Sequence, residues 1–144
     1  MKTLLPLLAI LTTLVVPALA QDKAEPGPRG GRLLALDGQK AEFLIQPDRN
    51  VSIAFYDDSL APVAPAGQVV TATAEAPGGK ETIEFETDGD TLVSTKPLPE
   101  GDDYRIVVQI RPTQDSKPKN FRITYNMNTC AECGLPEYAC TCNH

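Results

Sequence analysis

Histidine is scarce in this sequence, and its scarcity restricts the chemistry that the chain can perform. His144, the last of 144 residues, is the only histidine. A nucleophile that depends on histidine for activation would have to recruit this terminal residue, and chain termini are usually poorly positioned for catalysis. The sequence also contains no Gly-x-Ser-x-Gly segment and no phosphate-binding loop. We therefore predict that the protein is not an enzyme.

Positive charge is also sparse. The chain has 13 Lys and Arg against 19 Asp and Glu, which gives a formal net charge of −6, and the basic residues form no run. Nucleic acids and anionic membrane surfaces are bound by clustered Lys and Arg side chains. We therefore expect neither a nucleic-acid partner nor binding to a membrane surface.

A long apolar run occurs only near the N-terminus, from Leu4 to Val16. Ala18-Leu19-Ala20 follows it and has the small-x-small pattern that signal peptidase recognises. The run is short and interrupted for a membrane span, although a retained N-terminal anchor is the alternative. We predict that residues 1–20 are a signal peptide and that Gln21 begins the mature chain. The protein would then be periplasmic or secreted, with no membrane insertion after cleavage.

The sequence after the signal peptide has the pattern of a β-protein. Residues 21–31 are polar and rich in Pro and Gly, which is typical of a flexible leader. Residues 32–127 alternate apolar and polar side chains, and the 13 prolines of the chain leave little room for a long helix. We predict an immunoglobulin-like antiparallel β-sandwich of about eight strands. The strands are expected near residues 32–36, 41–45, 51–56, 68–75, 82–86, 91–95, 104–111 and 121–126.

A turn over residues 98–103 leads directly into the strand that begins at Tyr104. This arrangement resembles the tyrosine corner of immunoglobulin-like sandwiches, in which a tyrosine at the start of a late strand bonds back to the backbone. The alternative is an ordinary core tyrosine that follows a turn.

Three segments carry a resemblance to a known group of proteins. They are Arg29-Gly30-Gly31-Arg32-Leu33, Ala41-Glu42-Phe43 and Val51-Ser52-Ile53-Ala54-Phe55-Tyr56-Asp57. Together they resemble the small envelope β-domains found with bacterial heavy-metal efflux systems. The resemblance implies a link to metals and an envelope metal-efflux component as partner. Those domains often have a histidine before the Gly-Gly pair, and because Arg29 stands there, no metal ligand is implied at that position.

Residues 128–144 form a tail that holds every cysteine of the chain. Its spacing is C-x2-C-x6-C-x-C-x-H, and it has few apolar side chains apart from Leu135 and Tyr138. Such a segment requires a metal ion or a covalent link to be ordered. We expect the tail to contribute almost no apolar area to the core of the sandwich.

A metal site explains the spacing of the tail. Cys-x-x-Cys-Gly resembles a zinc knuckle, in which Gly134 lets the backbone turn and direct N–H groups at sulfur. Thiolates select zinc or Cu(I), and we expect zinc first because four thiolates suit a closed site. The predicted ligands are Cys130, Cys133, Cys140 and Cys142, with His144 as an auxiliary or alternative ligand.

Two disulfides are the alternative, because export would carry the thiols through an oxidising compartment. A Cys140–Cys142 ring would be strained, so the crossed and nested pairings remain open. A redox Cys-x-x-Cys is a third interpretation, although no thioredoxin-like pattern surrounds it. The main prediction is a non-enzymatic envelope protein that buffers, senses or delivers zinc or copper. The alternative is a metal-free, disulfide-stapled interaction or structural module.

Overall fold

The computed structural model describes residues 25–142, which form ten antiparallel strands and one short 3₁₀ helix, Glu137–Ala139. The predicted signal peptide, residues 21–24 and residues 143–144 lie outside the described residues. The strands are β1 (Glu25–Pro26), β2 (Arg32–Leu36), β3 (Gln39–Ile45), β4 (Val51–Tyr56), β5 (Pro62–Val63), β6 (Val69–Ala76), β7 (Gly79–Asp88), β8 (Thr91–Ser94), β9 (Arg105–Arg111) and β10 (Lys119–Thr124).

The prediction of an antiparallel all-β fold is confirmed. The eight longer strands coincide with the eight predicted ones, and the two additional strands, β1 and β5, have two residues each. No helix among residues 25–142 has the length and apolar character required to cross a membrane.

The strands form one continuous sheet in the order β1-β2-β3-β4-β8-β7-β6-β9-β10, with β5 paired to β4. The long strand β7 connects its two halves. Residues 79–84 of β7 pair with β6, whereas residues 85–88 pair with β8. The sheet therefore curls over itself, and one hydrophobic cluster draws side chains from both halves.

The alternation of strand β9 shows how the sequence places side chains in this core. Ile106, Val108 and Ile110 are buried, whereas Gln109 and Arg111 are exposed. Successive side chains of a strand point to opposite faces, so a period of two separates the core from solvent. The two-faced pattern predicted for this strand is confirmed.

Glu42 on β3 holds residues 25–31 against the outer face of the sheet. Its carboxylate is fully buried and accepts hydrogen bonds from the N–H groups of Arg29 and Gly31 at 2.9 Å. It also accepts bonds from Arg29 Nε at 3.0 Å and from the Tyr56 hydroxyl at 2.7 Å. Burial raises the pKa of Glu42, but these hydrogen bonds outweigh it and leave the pKa below its usual value.

The same network explains the Arg29-Gly30-Gly31 segment. Besides its bonds to Glu42, Arg29 donates from Nη1 to Ser52 Oγ at 3.0 Å. A Cβ atom on Gly31 would lie 2.6 Å from the carbonyl oxygen of Phe43, so only glycine fits here. In this chain Arg29 pairs with a buried carboxylate.

The tyrosine corner is confirmed. The Tyr104 hydroxyl donates a 2.8 Å hydrogen bond to the carbonyl oxygen of Pro99. The ring of Tyr104 stacks on that of Tyr125 with centroids 4.7 Å apart and planes 8° apart. The backbone N–H of Tyr125 bonds to the Tyr104 carbonyl at 2.8 Å, so both tyrosines fix the point where the chain leaves β10 for the tail.

Candidate metal centre

At the start of the tail, two short arms, residues 126–129 and residues 136–138, lie side by side. The N–H of Glu137 donates to the Asn128 carbonyl at 2.9 Å, and the N–H of Tyr138 donates to the Asn126 carbonyl at 3.1 Å. An antiparallel bridge between Thr129 and Pro136 closes the loop between the arms. The backbone itself therefore brings the first cysteine pair close to the second.

Tyr138 anchors the tail to the sandwich. Its side chain is only 3% exposed, and its ring meets that of Phe43 edge-on at a centroid distance of 6.5 Å. Its hydroxyl accepts a 3.0 Å hydrogen bond from the N–H of Ile45. Ile45 lies beyond Phe43, which forms the last pair between β3 and β2, with Arg32. Ala139 is fully buried in the same cluster. The expectation that the tail adds almost no apolar area to the core is wrong.

The first cysteine pair lies in a tight knuckle. The N–H of Gly134 donates to the Cys130 carbonyl at 2.9 Å, and the N–H of Cys130 donates to the Leu135 carbonyl at 2.8 Å. Gly134 has φ of +72°, a backbone conformation that costs a residue with a Cβ. This turn directs backbone N–H groups at sulfur: those of Cys133 and Glu132 bond to Cys130, and that of Leu135 bonds to Cys133. The predicted role of Gly134 is confirmed.

The second cysteine pair follows the 3₁₀ helix. The N–H of Cys140 closes the helix with a 3.2 Å bond to the Glu137 carbonyl, and the chain then becomes extended at Cys140. The N–H of Cys142 donates to Cys140 Sγ at 3.3 Å. Both pairs therefore present sulfur atoms that already accept backbone hydrogen bonds, as thiolate ligands do in metal knuckles.

The structure brings the four predicted cysteine ligands together. Their sulfur atoms all lie within 4.8 Å of one another, and the Sγ atoms of Cys133 and Cys140 are 3.6 Å apart. No disulfide joins any of them within residues 25–142, a range that includes every cysteine of the chain. A zinc–sulfur bond of about 2.3 Å gives a tetrahedron with sulfur–sulfur edges of about 3.8 Å. The cluster therefore has the size of a four-thiolate site.

Exposure differs among the four cysteines. Cys130 is 1% exposed, Cys140 and Cys142 are half-buried, and Cys133 is exposed. An ion at the centre of the cluster would therefore be shielded on the Cys130 side and open to solvent beside Cys133. His144, the predicted auxiliary ligand, lies outside the described residues.

The surroundings of the sulfurs shift their acidities in opposite directions. The backbone hydrogen bond from Leu135 lowers the pKa of Cys133 to about 7, and bonds from Cys133 and Glu132 lower the pKa of Cys130. The bond from the Cys142 N–H to Cys140 favours its thiolate, but burial and the neighbouring thiols outweigh it and raise the pKa of Cys140. Burial, followed by the nearby thiols, raises the pKa of Cys142. Without an ion, the surroundings therefore favour the thiolate at Cys130 and Cys133 and disfavour it at Cys140 and Cys142.

Sequence reasoning missed two supports of the site. One is the anchoring of Tyr138 in the core, although the tyrosine is the largest apolar side chain of the tail. The other is Leu135, which lies next to Gly30: a Cβ atom built on Gly30 would be 3.7 Å from Leu135 Cδ2. The knuckle therefore packs beside the Arg29–Gly31 turn, which Glu42 holds in place. No local pattern in the sequence indicates that Gly30 and Leu135 are neighbours.

No protein-family model matches the chain, and neither a curated protein nor a solved structure matches it.

Proposed function

We propose that this protein is an exported, non-enzymatic metal-binding protein that holds one zinc ion per chain and buffers, senses or delivers it in the cell envelope. The observation that carries the proposal is the convergence of all four cysteine sulfurs within 4.8 Å of one another. Soft thiolate ligands of this number and spacing suit zinc, and Cu(I) is the second choice of ion.

The unequal exposure of the ligands supports exchange of the ion rather than a purely structural role. A ligand from a partner can approach beside the exposed Cys133, whereas Cys130 is buried and would keep its bond longest. An envelope metal-efflux component is the proposed partner, on the strength of the resemblance that three segments within residues 29–57 carry. The apolar N-terminal run and the Ala18-Leu19-Ala20 motif support export.

Metal analysis of the protein, combined with a count of its thiols, tests the proposal. We expect one zinc ion per chain and four thiols that titrate under denaturing, chelating conditions. Protein purified from its native envelope with no metal, no titratable thiols and a mass four hydrogens low would instead establish two disulfides. N-terminal sequencing of the same sample tests export, and a chain that begins at Gln21 is expected.

Serine substitutions test the ligands individually. Cys133→Ser and Cys140→Ser should each abolish stoichiometric zinc binding, because a neutral hydroxyl is a poor ligand for a site built of thiolates. Ala131→Ser is the matched control, since it places a serine at an exposed position of the same knuckle. His144→Ala should weaken binding much less. Stoichiometric zinc in both cysteine variants would overturn the assignment of the ligands.

A further inference from the structure

Cys133 and Cys140 are closer to each other than their positions in the sequence suggest. Their Sγ atoms are 3.6 Å apart, and six residues separate them along the chain. A disulfide has sulfurs about 2.05 Å apart, so a further approach of about 1.5 Å would join them. They lie on different loops, one in the knuckle and one after the 3₁₀ helix, so this approach needs no small strained ring.

Two of the competing choices are less favourable. Cys140 and Cys142 would close a ring with a single residue between them, which distorts the preferred geometry of a disulfide. Cys130 is almost fully buried, and an oxidant in solution therefore meets the exposed Cys133 first.

We propose that a disulfide oxidant joins Cys133 to Cys140, and that this link opens the metal site and releases its ion. The release of the ion rests on the proposed zinc site, whereas the choice of the linked pair does not. Zinc would then stay bound until such an oxidant reaches Cys133.

The chemistry balances with a low-molecular-weight disulfide as oxidant. The Cys133 thiolate attacks one sulfur of the oxidant, forms a mixed disulfide and expels the first small thiolate. The Cys140 thiolate then attacks Cys133 Sγ, forms the Cys133–Cys140 bond and expels the second small thiolate. The two cysteines together lose two electrons, and the oxidant gains them.

Zinc keeps its charge and loses two of its four ligands. Cys130 and Cys142 remain as the second pair, so further oxidation yields the nested rather than the crossed connectivity.

Proteolytic digestion after Glu132 and Glu137 allows the linked pair of cysteines to be identified from the peptides that stay joined. It places Cys130, Cys133 and the Cys140–Cys142 pair on three separate peptides. Full-length protein, with and without zinc, is treated with oxidised glutathione, alkylated and digested, and free zinc is followed with a chromophoric chelator. We expect the peptide Cys133–Glu137 joined to Tyr138–His144, with Cys142 alkylated, and one zinc ion released per link.

Two variants and the metal-free sample keep the outcomes separate. Cys142→Ser should still form the link in the metal-free state, whereas Cys140→Ser should lose it. A first link at Cys130 or Cys142 in the metal-free protein would overturn the choice of pair. Zinc that stays bound after the link has formed would overturn the release. If the reduced protein binds no zinc at all but the Cys133–Cys140 link forms first, the proposed function and the release fail while the choice of pair stands.

Discussion

The Tyr56 hydroxyl donates a 2.7 Å hydrogen bond to the carboxylate of Glu42, and both groups lie on the outer face of the sheet under the Arg29–Gly31 turn. Glu42 is fully buried, yet every hydrogen bond to it comes from a donor that favours its charged form. A carboxylate that is held in this way stabilises the fold only while it stays ionised.

Glu42→Gln should therefore destabilise the protein by about 2 kcal/mol at neutral pH, the scale of lost hydrogen bonds to a charged group. The amide nitrogen of glutamine donates a hydrogen bond and cannot accept one from Arg29 or Tyr56. Urea unfolding measures the change. Glu86→Gln, on an exposed position of β7, is the matched control and should change stability by less than about 0.5 kcal/mol.

The pH dependence of stability should identify the same carboxylate. Because the pKa of Glu42 is lowered in the folded state from its usual 4.5, its contribution is present above pH 4.5 and is lost as the pH falls through the folded value. Wild-type protein should therefore lose more stability than Glu42→Gln on going from about pH 6 to about pH 3. Parallel pH profiles for the two proteins would contradict this role of Glu42.

Removal of the tail should damage the sandwich. A chain that ends at Asn128 loses Tyr138, Ala139 and Cys130, all of which are buried. We expect a loss of at least about 3 kcal/mol, the scale of emptying an aromatic position in a core. Near-UV circular dichroism and urea unfolding measure it in the presence of a chelator. A chain that ends at Cys142 keeps these residues and is the control; equal stability of the two truncations would contradict the packing.

Tyr138→Phe isolates the hydrogen bond from the packing. The ring keeps its contact with Phe43, but the buried N–H of Ile45 loses its acceptor. A buried donor left unsatisfied costs about 1–3 kcal/mol, and Tyr138→Ala should cost more because it also empties the ring site. Equal stability of Tyr138→Phe and wild type would show that water replaces the hydroxyl.

Gly134→Ala should weaken zinc binding through the backbone alone. Gly134 has φ of +72°, and a Cβ there would meet no other atom, so the cost is conformational, about 1 kcal/mol. Zinc affinity should fall by roughly fivefold to tenfold in a competition titration. Gly89→Ala is the matched control, because Gly89 also has positive φ and open space but lies in the β7–β8 turn. It should lower stability similarly and leave zinc affinity unchanged.

Much of the fold was predictable because its determinants are local. The alternation in β9 and the turn before Tyr104 each act within a few residues, and both correctly predicted the structure. The cysteine cluster was predictable for the same reason, since Cys130 and Cys133 share one knuckle and Gly134 lies beside them.

Contacts between distant segments were not predictable. The packing of Tyr138 on Phe43 depends on where the pairing between β2 and β3 ends. The register of the folded sheet determines that point, and the local sequence does not. The burial of Glu42 depends likewise on the return of residues 29–31 over the sheet. An isolated Glu in an alternating strand is ordinarily a solvent-facing residue, and nothing in its neighbours marks it as buried.

The bond between Ile45 and Tyr138 also has a consequence for the order of folding. It connects positions 93 residues apart, and long-range contacts of this kind form slowly because the closure of a long loop must come first. The chain is synthesised from its N-terminus, so β3 is complete long before Tyr138, the partner of Ile45, has been added. Until Tyr138 docks, the N–H of Ile45 at this end of β3 lacks its partner and is open to pairing with another strand.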